Sequence, residues 1–65
     1  MIAYCKLWKY MECRRYKKTD LLSVISSPTL AKLGKNEIVS TETIDKLCKY
    51  LKCQPGDIMV YINDD

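Results

Sequence analysis

Nine residues of this chain gather cations, short polar side chains and one proline into three groups: Lys17-Lys18-Thr19, Ser27-Pro28-Thr29 with Lys32, and Lys35-Asn36. Lysines bring positive charge on flexible stems, while hydroxyl and amide groups bring directional hydrogen bonding. That mixture suits a ligand carrying repeated negative charges. The wider charge pattern points the same way. Residues 1–36 hold eight Lys and Arg against two acids, whereas residues 37–65 hold three against six. The formal total is only +3, so position matters more than sum. A basic half beside an acidic half implies a polyanion-binding face on one side of the molecule. Plain solvation is the competing reading for any one lysine.

Other chemistries find little footing. The chain has no His, and therefore no imidazole to act as base for a Cys nucleophile. No Gly-rich phosphate loop is present, since Gly34 and Gly56 stand alone as turn residues. The carboxylates are scattered. No catalytic residue, no cofactor and no small-molecule substrate is expected, so the chain does not read as an enzyme. Cys5, Cys13, Cys48 and Cys53 are spaced C-x7-C and C-x4-C, a poor match to a zinc site, which takes closer pairs and usually imidazole. No metal is expected, and the four thiols are read as buried small hydrophobes. No apolar run approaches the roughly 20 residues that span a bilayer, and the N-terminus lacks a basic-then-apolar leader. The expectation is a cytoplasmic protein with no membrane contact.

The positions of these side chains depend on the elements that carry them. A chain of 65 residues has room for one domain, and at this size only about 60% of the unfolded surface is buried. Association into a homodimer would add burial. Tyr4, Leu7, Trp8 and Met11 recur at helical spacing, predicting a first helix over about 3–14. Thr19-Asp20 opens a short second helix whose inner side is Leu21, Leu22, Val24 and Ile25. Ser27 is read as an N-cap and Pro28 as the first helical residue of a third helix over 28–33. Leu30 and Leu33 then face inward, and Gly34 ends the helix in a left-handed cap. Ser40 caps a fourth helix with the stripe Ile44, Leu47, Cys48 and Leu51. Pro55 starts a final turn through Ile58 and Met59. The tail, about 58–65, contains the β-prone run Val60-Tyr61-Ile62. Two short helices separated by a tight turn, about 18–34, can pack only at a steep angle, which is a helix-turn-helix.

Several stretches resemble one family. Thr19-Asp20-Leu21, Thr29-Leu30-Ala31-Lys32-Leu33-Gly34-Lys35-Asn36-Glu37, Leu47-Cys48 and Cys53-Gln54-Pro55-Gly56-Asp57-Ile58-Met59 are similar to the short Cro-type helix-turn-helix proteins of the XRE, or lambda-repressor-like, family. The resemblance runs from about Leu7 to Tyr61. It implies an all-α, compact five-helix domain whose third helix enters the major groove of double-stranded DNA, to which the β-prone run adds a short extended C-terminal tail. It also implies a transcriptional regulator, most often a repressor, that binds as a dimer. The chain departs from the family pattern in two places. The stretch from Leu22 to Thr29 is about two residues shorter and lacks the usual turn Gly, and Lys17 stands where Ser or Thr often caps the second helix.

On this reading Ser27, Pro28, Thr29 and Lys32 meet base edges, because the start of the third helix points into the groove. Lys17, Lys18, Thr19, Lys35 and Asn36 contact phosphates. Arg14 and Arg15 either extend that rim or pair internally with an acid such as Glu12. The competing function is a protein-interaction module on the same scaffold, antitoxin-like or serving a phage or mobile-element regulator. The Ile58–Ile62 tail is its candidate surface, and equally the candidate homodimer contact.

Overall fold

The computed structural model describes residues 1–63. The tail expectation for Asp64 and Asp65 therefore lies outside the described residues. Four helices form the body: α1 (Cys5–Cys13), a 3-10 helix (Lys18–Ser23), α2 (Ser27–Gly34) and α3 (Thr41–Leu51). A single 3-10 turn (Pro55–Asp57) follows. The expected fifth helix is thus only that turn. Strands β1 (Ile2–Ala3) and β2 (Val60–Tyr61) pair antiparallel, with Ile2 opposite Tyr61 and Ala3 opposite Val60.

Helix α1 starts later than the predicted residue 3, because Ile2 and Ala3 are taken by the strand. Its stripe behaves as read: Tyr4, Leu7 and Met11 are buried and Trp8 packs against the core. The second helical segment is 3-10, and the shortened stretch supplies a reason. A 3-10 helix rises about 2.0 Å per residue against about 1.5 Å for an α-helix, so six residues reach further toward α2. The Asp20 carboxylate accepts the Lys17 N–H at 2.8 Å, which secures the start where no Ser or Thr is available. Leu21 of this segment, Ile25 in the turn after it and Leu33 of α2 are all buried in the common core.

Both ends of α2 correct the sequence reading. The N-cap is Ser26, not Ser27: its Oγ accepts the Thr29 N–H at 3.4 Å and lies 2.8 Å from Thr29 Oγ1. Ser27 becomes the first helical residue and Pro28 the second, a place that still needs no proline N–H. Gly34 does not take a left-handed conformation. Asn36 does, at φ 56, because the helix runs one residue beyond the predicted 33. The Glu37 N–H then closes on the Lys32 carbonyl at 2.9 Å and the Asn36 N–H on Leu33 at 3.3 Å, the double bond of a Schellman ending.

Helix α3 is capped as expected by Ser40, whose Oγ accepts the Thr43 N–H at 3.2 Å. Ile44, Leu47 and Leu51 form its buried edge. In the final turn, the Asp57 carboxylate accepts the Gln54 N–H at 3.0 Å and delivers Ile58 into the core, fully buried. The four thiols are free, yet they are not all buried. Cys5 and Cys13 are exposed, and only Cys48 and Cys53 are half-buried, since Cys5 and Cys13 lie off the α1 stripe.

Candidate nucleic-acid interface

Helix α2 buries Leu33 and half-buries Leu30, which fixes its opposite side toward solvent. That side carries Ser27, Pro28, Ala31, Lys32 and Lys35, all exposed. Ser27, Ala31 and Lys35 are spaced by four residues, as are Pro28 and Lys32, so the five share one helical face. Three of the four residues read as base-contacting, Ser27, Pro28 and Lys32, therefore come together. Thr29 does not join them. It is half-buried, and its hydroxyl and N–H both engage the Ser26 cap. Lys32 and Lys35 sit in and just after the last turn, where helix carbonyls favour positive charge.

The other group lies at the start of the 3-10 helix, where Lys17, Lys18 and Thr19 are all exposed. Lys17 is extended, at φ -105 and ψ 154. The Lys18 ammonium lies 4.6 Å from the centre of the Trp8 ring, a cation-π contact that orients it beside α1. Asn36 is exposed but already serves the fold, because its Oδ1 accepts the Tyr4 N–H at 3.0 Å and so ties the end of α2 to the strand leading into α1. Its Nδ2 has the free donors. Arg14 lies over the Tyr10 ring at 3.9 Å rather than on Glu12, and Arg15 takes the left-handed position after α1. Lys6 is bound to the Gly56 carbonyl at 2.6 Å.

Two participants were not singled out from the sequence. Ala31 completes the exposed face, and its four-residue spacing from Ser27 was the available signal. Ser26 supplies the cap, one residue before the Ser27 expected from the sequence. Among the described residues no group of three or more His, Cys, Asp or Glu is arranged to hold a metal. No helix among them is long and apolar enough to cross a membrane.

Residues 6–64 match a family described as the Cro/C1-type HTH DNA-binding domain. The chain belongs to that family. The Cro/C1-type domain is a DNA-binding unit of regulators and typically not an enzyme. The crystal structure of the transcriptional regulator VanUg is similar at a TM-score of 0.91 and 42% identity, covering 97% of this chain and 87% of that one. YozG of Bacillus subtilis, an uncharacterised HTH-type transcriptional regulator, is 40% identical over 37 residues, 57% of this chain and 44% of YozG. A proline–tRNA ligase of Cyanothece sp. is 42% identical over 55 residues, 77% of this chain and 9% of the ligase. The chain thus matches under half the length of either curated relative.

Proposed function

We propose that this Cro/C1-type domain is a sequence-specific binder of double-stranded DNA that acts in the cytoplasm as a transcriptional repressor. The observation that carries the reading is the exposed face of α2, where Ser27, Pro28, Ala31, Lys32 and Lys35 stand clear of a helix packed on the preceding 3-10 segment. In the proposed complex α2 lies in the major groove. Lys32 reaches guanine O6 or N7, Ser27 meets base edges, and Pro28 and Ala31 pack on thymine methyl groups. Thr29 helps to set the helix start, and its hydroxyl adds a base contact only by sharing its bond to Ser26. Lys17, Lys18, Thr19, Lys35 and the Asn36 Nδ2 hold phosphates on either side. No Arg, Asn or Gln stands at the start of α2, so phosphate contacts and DNA shape carry a large share of the selectivity.

The test is selection of duplexes from a random pool, followed by titration of the selected site against scrambled DNA. Neutralising six to eight phosphates lowers affinity roughly 10³-fold or more between about 50 and 200 mM salt. Lys32→Ala is expected to weaken the selected site by about 1–3 kcal/mol while leaving scrambled DNA nearly unchanged. Lys18→Ala weakens both alike. A salt-independent affinity, or equal losses for the two variants, would overturn the reading.

A homodimer belongs to the same proposal, though its contact differs from the whole Ile58–Ile62 run. Ile58 is fully buried in its own core, and Val60-Tyr61 already pairs with Ile2-Ala3. Left outward are Tyr61 at 66% exposure and Ile62 at 42%, with Ile2 at 41% and Ile38 at 91%. Met1, Ile2 and Ile38 also line one cavity of about 450 Å³. This apolar surface equally supports the second reading, a module that binds another protein, because exposed apolar patches mark interaction sites.

A further inference from the structure

Cys48 and Cys53 stand apart from the α2 face and have no part in DNA binding as proposed. They occupy the two ends of the turn that closes α3. The Cys53 N–H donates to the Cys48 carbonyl at 3.1 Å, and Lys52 between them is left-handed at φ 56, ψ 53. The reversal folds the chain so that the Cys48 side chain lies close enough to Cys53 to act on its thiol. Both are free and half-buried, and both line an open cavity of about 430 Å³ beside Asp45 and Met59. A disulfide accepts only a narrow window of Cα separations, about 4.4–6.8 Å. The backbone bond holds the two residues at the ends of a single turn before any sulfur reacts.

We propose that Cys48 and Cys53 form a thiol–disulfide exchange site, which small-molecule disulfides close to an intramolecular bond. In the first step the Cys48 thiolate attacks one sulfur of the small disulfide. A mixed disulfide forms at Cys48, and one small thiolate leaves and takes up a proton. In the second step Cys53 gives its proton to solvent and attacks the Cys48 sulfur, releasing the second small thiol. Two protein thiols are oxidised and one small disulfide is reduced to two thiols, with no further oxidant.

The surroundings set that order. Burial, followed by the neighbouring Cys48 and Asp57, pushes the Cys53 thiol up to about 11, against an opposing pull from Arg14. Cys53 therefore stays protonated near neutrality and does not lead. Once the Cys48 sulfur is tied in a mixed disulfide it can no longer carry charge beside Cys53, and one restraint on the Cys53 proton is gone. The open cavity admits the small disulfide. Cys5 and Cys13 are exposed on α1, outside the turn that closes α3.

The experiment uses the full chain carrying Cys5→Ser and Cys13→Ser, incubated with glutathione disulfide and followed by intact-mass spectrometry. Closure lowers the mass by about 2 Da, and non-reducing tryptic digestion joins the peptide containing Cys48 to the one beginning at Cys53. Adding Cys53→Ser stops the reaction at a stable glutathione adduct on Cys48. Adding Cys48→Ser slows the first step at least tenfold. A persistent adduct in the chain with both cysteines, a disulfide-linked dimer, an unreacted protein, or equal rates for the two added variants would each overturn the proposal.

Discussion

Arg15, Asn36 and Lys52 hold left-handed conformations, at φ 61, 56 and 56, after the three α-helices. A side chain with a Cβ pays for that conformation with roughly 1–2 kcal/mol, and glycine does not. Asn36 offsets the cost by accepting the Tyr4 N–H, while among the described residues no such contact supports the Arg15 or Lys52 side chain. Arg15→Gly and Lys52→Gly are therefore expected to stabilise the fold by about 0.5–1 kcal/mol each, and Asn36→Gly to destabilise it by about 1–2 kcal/mol. Urea unfolding of the three variants checks this; a stabilising Asn36→Gly would refute the role given to Asn36. Alkaline pH tests another pair of residues. Desolvation raises Tyr4 above its ordinary 10.0, and burial and its neighbours raise Cys53 from 9.0 to about 11. Both folded sites favour the neutral form. Their contribution is complete below the ordinary values and is lost as pH climbs through the raised ones. The melting temperature should be flat near neutrality and fall once pH passes about 9, and a rise there would contradict the assignment.

Helix α2 shows which features of an element can be read before folding is known. Leu30 and Leu33 repeat at helical spacing, so the inward side, and with it the outward place of Ser27 and Lys32, was legible. The ends were not. Ser26 and Ser27 are the same residue type, and the choice between them depends on where the chain arrives from the 3-10 segment. Gly34 looked like the natural left-handed residue, yet Asn36 takes that place because its amide finds Tyr4, 32 residues away. The pairing of Ile2 with Tyr61 is still less local, and the β-prone tail gave no hint of its partner. Thr29 is ambiguous for a related reason: a hydroxyl near a helix start can face a ligand or serve the cap, and here it engages the cap. The corrected end yields a prediction of its own. Gly34 is the last residue of α2, its φ is not positive, and a Cβ there would meet nothing within 4 Å. Gly34→Ala should raise stability by about 0.4–1 kcal/mol with DNA affinity unchanged within about twofold; thermal melting and duplex titration read the two effects separately.

At the scale of the molecule, the domain exposes two unlike surfaces: the lysine-bearing side of α2, and an apolar area made by the strand pair and Ile38. Ile38→Asp with Tyr61→Asp should lower the self-association measured by analytical ultracentrifugation, and lower the cooperativity of duplex binding with it. Such losses with the circular dichroism spectrum intact would support the homodimer, whereas an unaltered sedimentation coefficient would leave Ile38 and Tyr61 outside it. The strand pair has a further effect. The Met1 ammonium donates to the Ile62 carbonyl at 2.8 Å, and the Ile62 N–H returns a bond to Met1 at 2.7 Å. The backbone at Met1 consequently runs beside that at Ile62, and a short linker between the two points could splice a circular permutant opened near the exposed Lys35 and Asn36.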